Sequence, residues 1–228
     1  MNSFMQWFSQ LQWGNLLELL ISAASCLLCI VLHELCHGAM ALLLGDDTAR
    51  RSGRLSLNPL KHIDLVGLVL LFTVHFGWAK PVPVNMQRFR NPRRDMALTA
   101  LAGPVGNLLL ALLLVPVYAA VFVWYQTSNL MVAFYIALFL LSTIRLSIGL
   151  GVFNLFPIPP LDGSKVLFTF LPHSWYLKLM RYERYGVILL VTLLYLGILD
   201  APLVFLRNGL FDIMFSVLGE PVLRLLIG

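Results

Sequence analysis

The sequence predicts an all-α membrane protein, a polytopic bundle of about four to five spanning helices with a re-entrant or strand-like loop. Three observations carry that expectation. Hydrophobic residues make up 59% of the 228 positions and charged residues only 12%, and the mean hydropathy is +0.84, well beyond a soluble domain. The apolar residues fall into long runs, several reaching the roughly 20 residues that a bilayer crossing needs. Lysine and arginine gather between those runs, over residues 50–94 and 165–184, as in loops retained on the cytoplasmic side.

The first span is expected over about 15–44, where Leu, Ile, Val, Ala, Met and Cys dominate and Gly45, Asp46 and Asp47 make a plausible stop. Before it, Phe4, Trp7, Phe8 and Trp13 suit a membrane interface. No Lys or Arg precedes the run, so it lacks the basic start of a cleaved signal peptide and is expected to be retained. Arg50, Arg51, Arg54 and Lys61 then mark a cytoplasmic loop. The apolar stretch 65–78 is too short for comfortable crossing and reads as re-entrant or strand-like. Pro81 and Pro83 follow among valines and favour an extended edge over a helix. Lys80, Arg88, Arg90, Arg93 and Arg94 return the chain to the same side.

A second span is expected over about 96–124, with Gly103, Pro104, Gly106 and Asn107 where small residues permit close helix contact. An uncharged turn at 126–129 belongs outside, and a third span covers about 130–156. That span breaks in Asn154-Leu155-Phe156-Pro157-Ile158-Pro159-Pro160-Leu161-Asp162-Gly163, whose prolines prevent a regular helix. A fourth span is expected over about 185–206. Residues 209–227 hold Asp212, Glu220, Pro221 and Arg224 and suit either an interfacial helix or an imperfect fifth span. Residues 1–228 are read as one membrane-embedded domain, with a core over about 15–165 and additional helices over about 166–228.

The net charge of +5 does not imply nucleic acid, because the cations sit in loops beside apolar runs where orientation in the bilayer explains them. Cys26, Cys29 and Cys36 all lie on the first span, where free cysteine behaves as a small apolar residue rather than part of a disulfide framework. Cys26 and Cys29 spell C-x-x-C, but a membrane helix is a poor setting for thiol redox chemistry.

The first span carries the chemistry. His33, Glu34 and His37 are ionisable groups inside an apolar helix, which is costly and points to function. Residues four apart stack on one helix face, so His33 and His37 aim at a common spot with Glu34 beside them. H-E-x-x-H is the zinc-binding helix of metallohydrolases, in which the glutamate serves as general base. A hydrogen-bonded pair of core histidines is the plainer alternative. Asn154 is a candidate donor to a developing oxyanion or to substrate, and Asn107 a candidate catalytic group; both suit structural polar packing as well.

Five segments in order resemble the site-2 protease family: H-E-L-C-H-G at 33–38, L-N-P-L-K-H-I-D at 57–64, G-W-A-K-P-V-P-V-N at 77–85, G-P-V-G-N at 103–107 and N-L-F-P-I-P-P-L-D-G at 154–163. The resemblance, over about 31–165, implies an intramembrane zinc metalloprotease that cleaves transmembrane protein substrates near the cytoplasmic side of the bilayer. It implies one Zn2+ per chain, held by His33, His37 and Asp162. It resembles the compact bacterial and archaeal branch, implying a prokaryotic cytoplasmic membrane and no PDZ or CBS domain. A catalytic zinc needs a third protein ligand beyond the two histidines. Asp162 follows a Pro-rich break on a span returning inward, whereas the other acids flank turns or chain ends. An N-cap for a helix starting near Gly163 is its rival role.

His62 is expected to be solvated, His75 to be structural within the re-entrant stretch, and Arg145, midway along the third span, to need a partner or to snorkel. A transporter is the competing class, but inverted repeats should show matching broken segments, and the sequence has one H-E-x-x-H and one such break. A binding protein with a dead core should have lost Glu34 or a ligand, and all are present.

Overall fold

The computed structural model describes residues 16–64 and 79–227. The expectations for residues 1–13, for the stretch 65–78 and for His75 lie outside the described residues. Among the described residues three helices are long and apolar enough to cross a membrane: α1 (Leu16–Leu43), α2 (Pro92–Ser128) and α3 (Met131–Leu155). After them come a short α4 (Asp162–Thr169), α5 (His173–Tyr195), α6 (Asp200–Met214), a π-helical turn Phe215–Gly219 and α7 (Glu220–Ile227). The chain is thus an all-α multi-pass membrane protein.

The carboxyl end of α1 and the start of α2 follow from sequence. Gly45, at φ 105°, closes α1: the Asp46 N–H donates to the Ala41 carbonyl (2.8 Å) and the Gly45 N–H to the Leu42 carbonyl (3.2 Å), the paired bonds of a Schellman motif. Pro92 opens α2 at its first position, where its missing N–H costs nothing. Asp95 reaches back to accept the Asn91 N–H at 2.9 Å.

The expected fourth span is corrected. α5 stops at Tyr195, and the pair Tyr185–Tyr195 and Asp200–Ile227 is bent by 83°, so the two make a fourth crossing only if taken as one broken span. The cause is local. Gly197 adopts φ 70°, the Ile198 N–H donates to the Leu193 carbonyl (3.1 Å) and the Gly197 N–H to the Leu194 carbonyl (3.0 Å), again the Schellman pattern. Residues 209–227 are likewise no separate segment, since the helix begun at Asp200 runs on through the π turn to Ile227. Among the described residues there is no strand; the expected strand-like edge is extended backbone with one antiparallel bridge, Ile63 to Ala79.

Two compact units divide the chain, and the long helices contribute to both. The first comprises Met1–Cys29, Asn107–Phe153 and Val187–Gly228. Within it α2 buries Asn107, Ala111, Val115, Ala119 and Val123, a stripe with a four-residue period along one helix face. Polar side chains link its helices: the Thr143 hydroxyl donates to Ser25 Oγ (3.0 Å), the Ser25 hydroxyl to the Phe139 carbonyl (3.3 Å) and the Ser147 hydroxyl to the Asn107 carbonyl (2.8 Å). In an apolar solvent such bonds replace hydrophobic driving force as a source of specificity. Arg145 lays its guanidinium over the Phe211 ring, 5.4 Å from the centroid, a cation–π contact that supplies the sought-for partner.

The second unit comprises Ile30–Gly106 and Asn154–Gly186. Its loop after α1 is tied by Asp46, wholly buried, whose carboxylate accepts from the Thr48 N–H (3.0 Å), the Thr48 hydroxyl and the Asn85 N–H (2.6 Å). Burial pushes this carboxyl up, but those donors and nearby Arg88 outweigh it and hold it below the ordinary range. His62 is buried rather than solvated: one ring nitrogen lies 2.8 Å from the Ser56 carbonyl and donates to it. Arg93 donates to the Thr169 carbonyl (2.9 Å) and the Leu171 carbonyl and stacks over the Tyr176 ring (5.0 Å), fixing the carboxyl end of α4.

Candidate metal centre

The second unit brings His33, His37 and Asp162 together. His33 and His37 sit one turn apart on α1, and Asp162 is the first residue of α4. All three are buried, at 6%, 9% and 8% exposure. The two Nε2 atoms are 3.0 Å apart, and Asp162 Oδ2 lies 3.1 Å from His33 Nε2 and 3.2 Å from His37 Nε2. Among the described residues this is the one cluster of three potential ligand atoms.

The cluster fits a zinc ion on two counts. Tetrahedral zinc with ligands about 2.0–2.1 Å away separates its ligand atoms by about 3.3 Å, close to the observed triangle. The tautomer is also right. His37 Nδ1 lies 2.7 Å from the Thr99 carbonyl, an acceptor only, so Nδ1 carries the proton and Nε2 of the neutral ring keeps its lone pair toward the cluster. Asp162 Oδ1 faces Lys165 Nζ at 3.8 Å, which leaves Oδ2 to the histidines.

Glu34 stands outside this triangle. Its Oε2 accepts the Val82 N–H at 2.7 Å, as a base adjacent to a metal rather than on it would be placed. Asn154 is half-buried in the last turn of α3 and belongs to the same unit. Asn107 belongs to the first unit, where its carbonyl receives the Ser147 hydroxyl.

Sequence reasoning missed three contributors. The Thr99 carbonyl and the Val82 amide are backbone groups, invisible in a side-chain pattern. Gly103 stood in a motif noted only for close helix approach. A Cβ there would lie 2.5 Å from His37 Cε1 and 2.7 Å from His33 Cε1, so α2 can pass the histidines only with glycine at that point. Gly103→Ala is expected to displace both rings and weaken zinc binding at least about 10-fold, read as a lower chelator concentration for half-removal of metal; unchanged retention would mean the rings have room to shift.

Two histidines on one helix and an aspartate opening another form a buried cluster with the geometry to hold a metal ion, in a chain whose helices are long and apolar enough to cross a membrane. Its relatives agree. The chain is 40% identical over 164 residues to zinc metalloprotease YwhC of Bacillus subtilis (strain 168), an alignment covering 71% of this chain and 74% of the relative. It is 30% identical over 175 residues to zinc metalloprotease Rip2 of Mycolicibacterium smegmatis, covering 75% of this chain and 65% of that one. Residues 119–196 match Peptidase family M50. No solved structure matches the chain significantly. The chain belongs to peptidase family M50, the site-2 protease family, and is a membrane zinc metalloprotease.

Proposed function

We propose that this protease hydrolyses peptide bonds within or beside the transmembrane segments of other membrane proteins, as in regulated intramembrane proteolysis, using one zinc ion held by His33, His37 and Asp162. The observation that carries the reading is the buried triangle of donor atoms, 3.0–3.2 Å on a side, in a chain of membrane-crossing helices. When bound, zinc activates water and polarises the scissile carbonyl. Glu34 takes the proton of the attacking water and returns it to the leaving amine. Asn154 supplies a hydrogen bond to the oxyanion. The density of Arg and Lys over 50–94 supports a site nearer the cytoplasmic face of a prokaryotic cytoplasmic membrane.

The test is reconstitution of the purified protein in liposomes with candidate single-span proteins. Cleavage is expected within or next to the spanning segment, lost on stripping zinc and restored by adding it back. Cleavage that survives complete removal of zinc would sink the reading.

A further inference from the structure

We infer that Val82 is a positioning residue for the reaction, acting through its backbone amide, which holds the catalytic base Glu34 in one orientation. The inference rests on the zinc-protease reading above. Glu34 sits on α1 with a flexible side chain, yet its position relative to the attacking water must be fixed to a fraction of an ångström, since misplacement by about 1 Å costs about 100-fold in rate. The H-E-x-x-H helix does not by itself fix it. The Val82 N–H does: it donates to Glu34 Oε2 at 2.7 Å, occupying one carboxylate oxygen and leaving the other to take the proton.

Three features make this a built contact. First, the donor stands alone. Pro81 and Pro83 flank Val82, and proline has no N–H, so within these three residues only Val82 can donate. Proline also biases the residue before it toward extended backbone. Second, Val82 is anchored on the metal helix by its side chain as well. It is 7% exposed, and its Cγ1 would lie 3.1 Å from a Cβ at Gly38, one turn beyond Glu34 on the same helix. Third, the segment is held independently on both sides. The Lys80 N–H donates to the His62 carbonyl (2.8 Å), Arg54 donates to the Lys80 (2.6 Å) and Pro81 (3.2 Å) carbonyls, and the Asn85 N–H donates to Asp46 (2.6 Å). Losing the Val82 amide should therefore leave the segment in place.

Val82→Pro removes the donor, and Val82→Ala keeps it while trimming the packing at Gly38. On a substrate cleaved by wild type, Val82→Pro is expected to lower kcat about 100-fold with KM and zinc content unchanged, and Val82→Ala to lose far less. In a Glu34→Gln background Val82→Pro is expected to cost no further turnover, because the amide acts only through Glu34. If Val82→Pro loses zinc or cannot be purified intact, the α-hydroxy analogue of valine at position 82, which swaps the N–H for an ester oxygen, replaces it. Full kcat without the donor, equal losses in Val82→Pro and Val82→Ala, or a rise in kcat would each overturn the inference; the rise would make the contact an inhibitory latch. Wild type that neither binds zinc nor cleaves would overturn the protease reading itself.

Discussion

Glu34→Gln lowers proteolysis to a residual rate about 10²–10⁴-fold below wild type and leaves zinc bound: that is the result expected if the glutamate is base and not ligand. The substitution preserves size and one acceptor oxygen, so the Val82 N–H, 2.7 Å from Oε2, keeps a partner and the segment from Ala79 to Asn85 stays docked. What disappears is a carboxylate able to take a proton. General-base catalysis contributes about 10²–10⁴-fold, and turnover should fall by an amount in that range. Metal analysis of the purified variant decides the other half. His33, His37 and Asp162 are untouched, so the zinc content should equal that of wild type. Zinc lost with the carboxylate would make Glu34 a ligand; turnover retained would remove it from the mechanism.

What could be read from the sequence divides along a physical line. The convergence of His33 and His37 on one spot, their Nε2 atoms 3.0 Å apart, was legible because a helix converts spacing into direction. The ends of α1 and α3 were legible from Gly45 and the proline-rich break, whereas α2 begins at Pro92 rather than near 96, because proline suits the first position of a helix and a hydropathy reading starts only at the apolar run. The fourth span was misjudged because hydropathy is blind to a single residue's φ: Gly197, at 70°, interrupts an apolar run that looks continuous. His62 was misjudged because a loop histidine is ordinarily solvated, and its burial depends on the backbone folding Ser56 over it. The supports of the centre were least legible. The Thr99 carbonyl and Val82 amide have no side-chain signature, and Gly103 is recognisable as a contact with the histidine rings only once two helices are placed side by side.

The second large effect is expected at Asp162. In the sequence it has two readings, metal ligand and N-cap of a helix starting near Gly163, and the structure bears on both. α4 begins at Asp162 itself; the capping position is Leu161, with no side-chain capping bond. The carboxylate turns instead to the histidines, with Oδ2 3.1 Å and 3.2 Å from their Nε2 atoms. Asn caps a helix about as well as Asp, so Asp162→Asn should leave α4 and the protein's thermal stability without metal close to wild type. It removes the only negative charge among the three donors and substitutes a neutral amide, a poor ligand for zinc. Zinc affinity should fall by more than the about 10–100-fold that loss of a supporting partner costs, and cleavage should fall with it. Excess zinc separates the two variants: it should restore part of the activity of Asp162→Asn, whose fault is occupancy, and none of that of Glu34→Gln, whose fault is proton transfer. Normal zinc content and turnover in Asp162→Asn would take the aspartate out of the metal centre and require the third ligand to come from elsewhere in the chain.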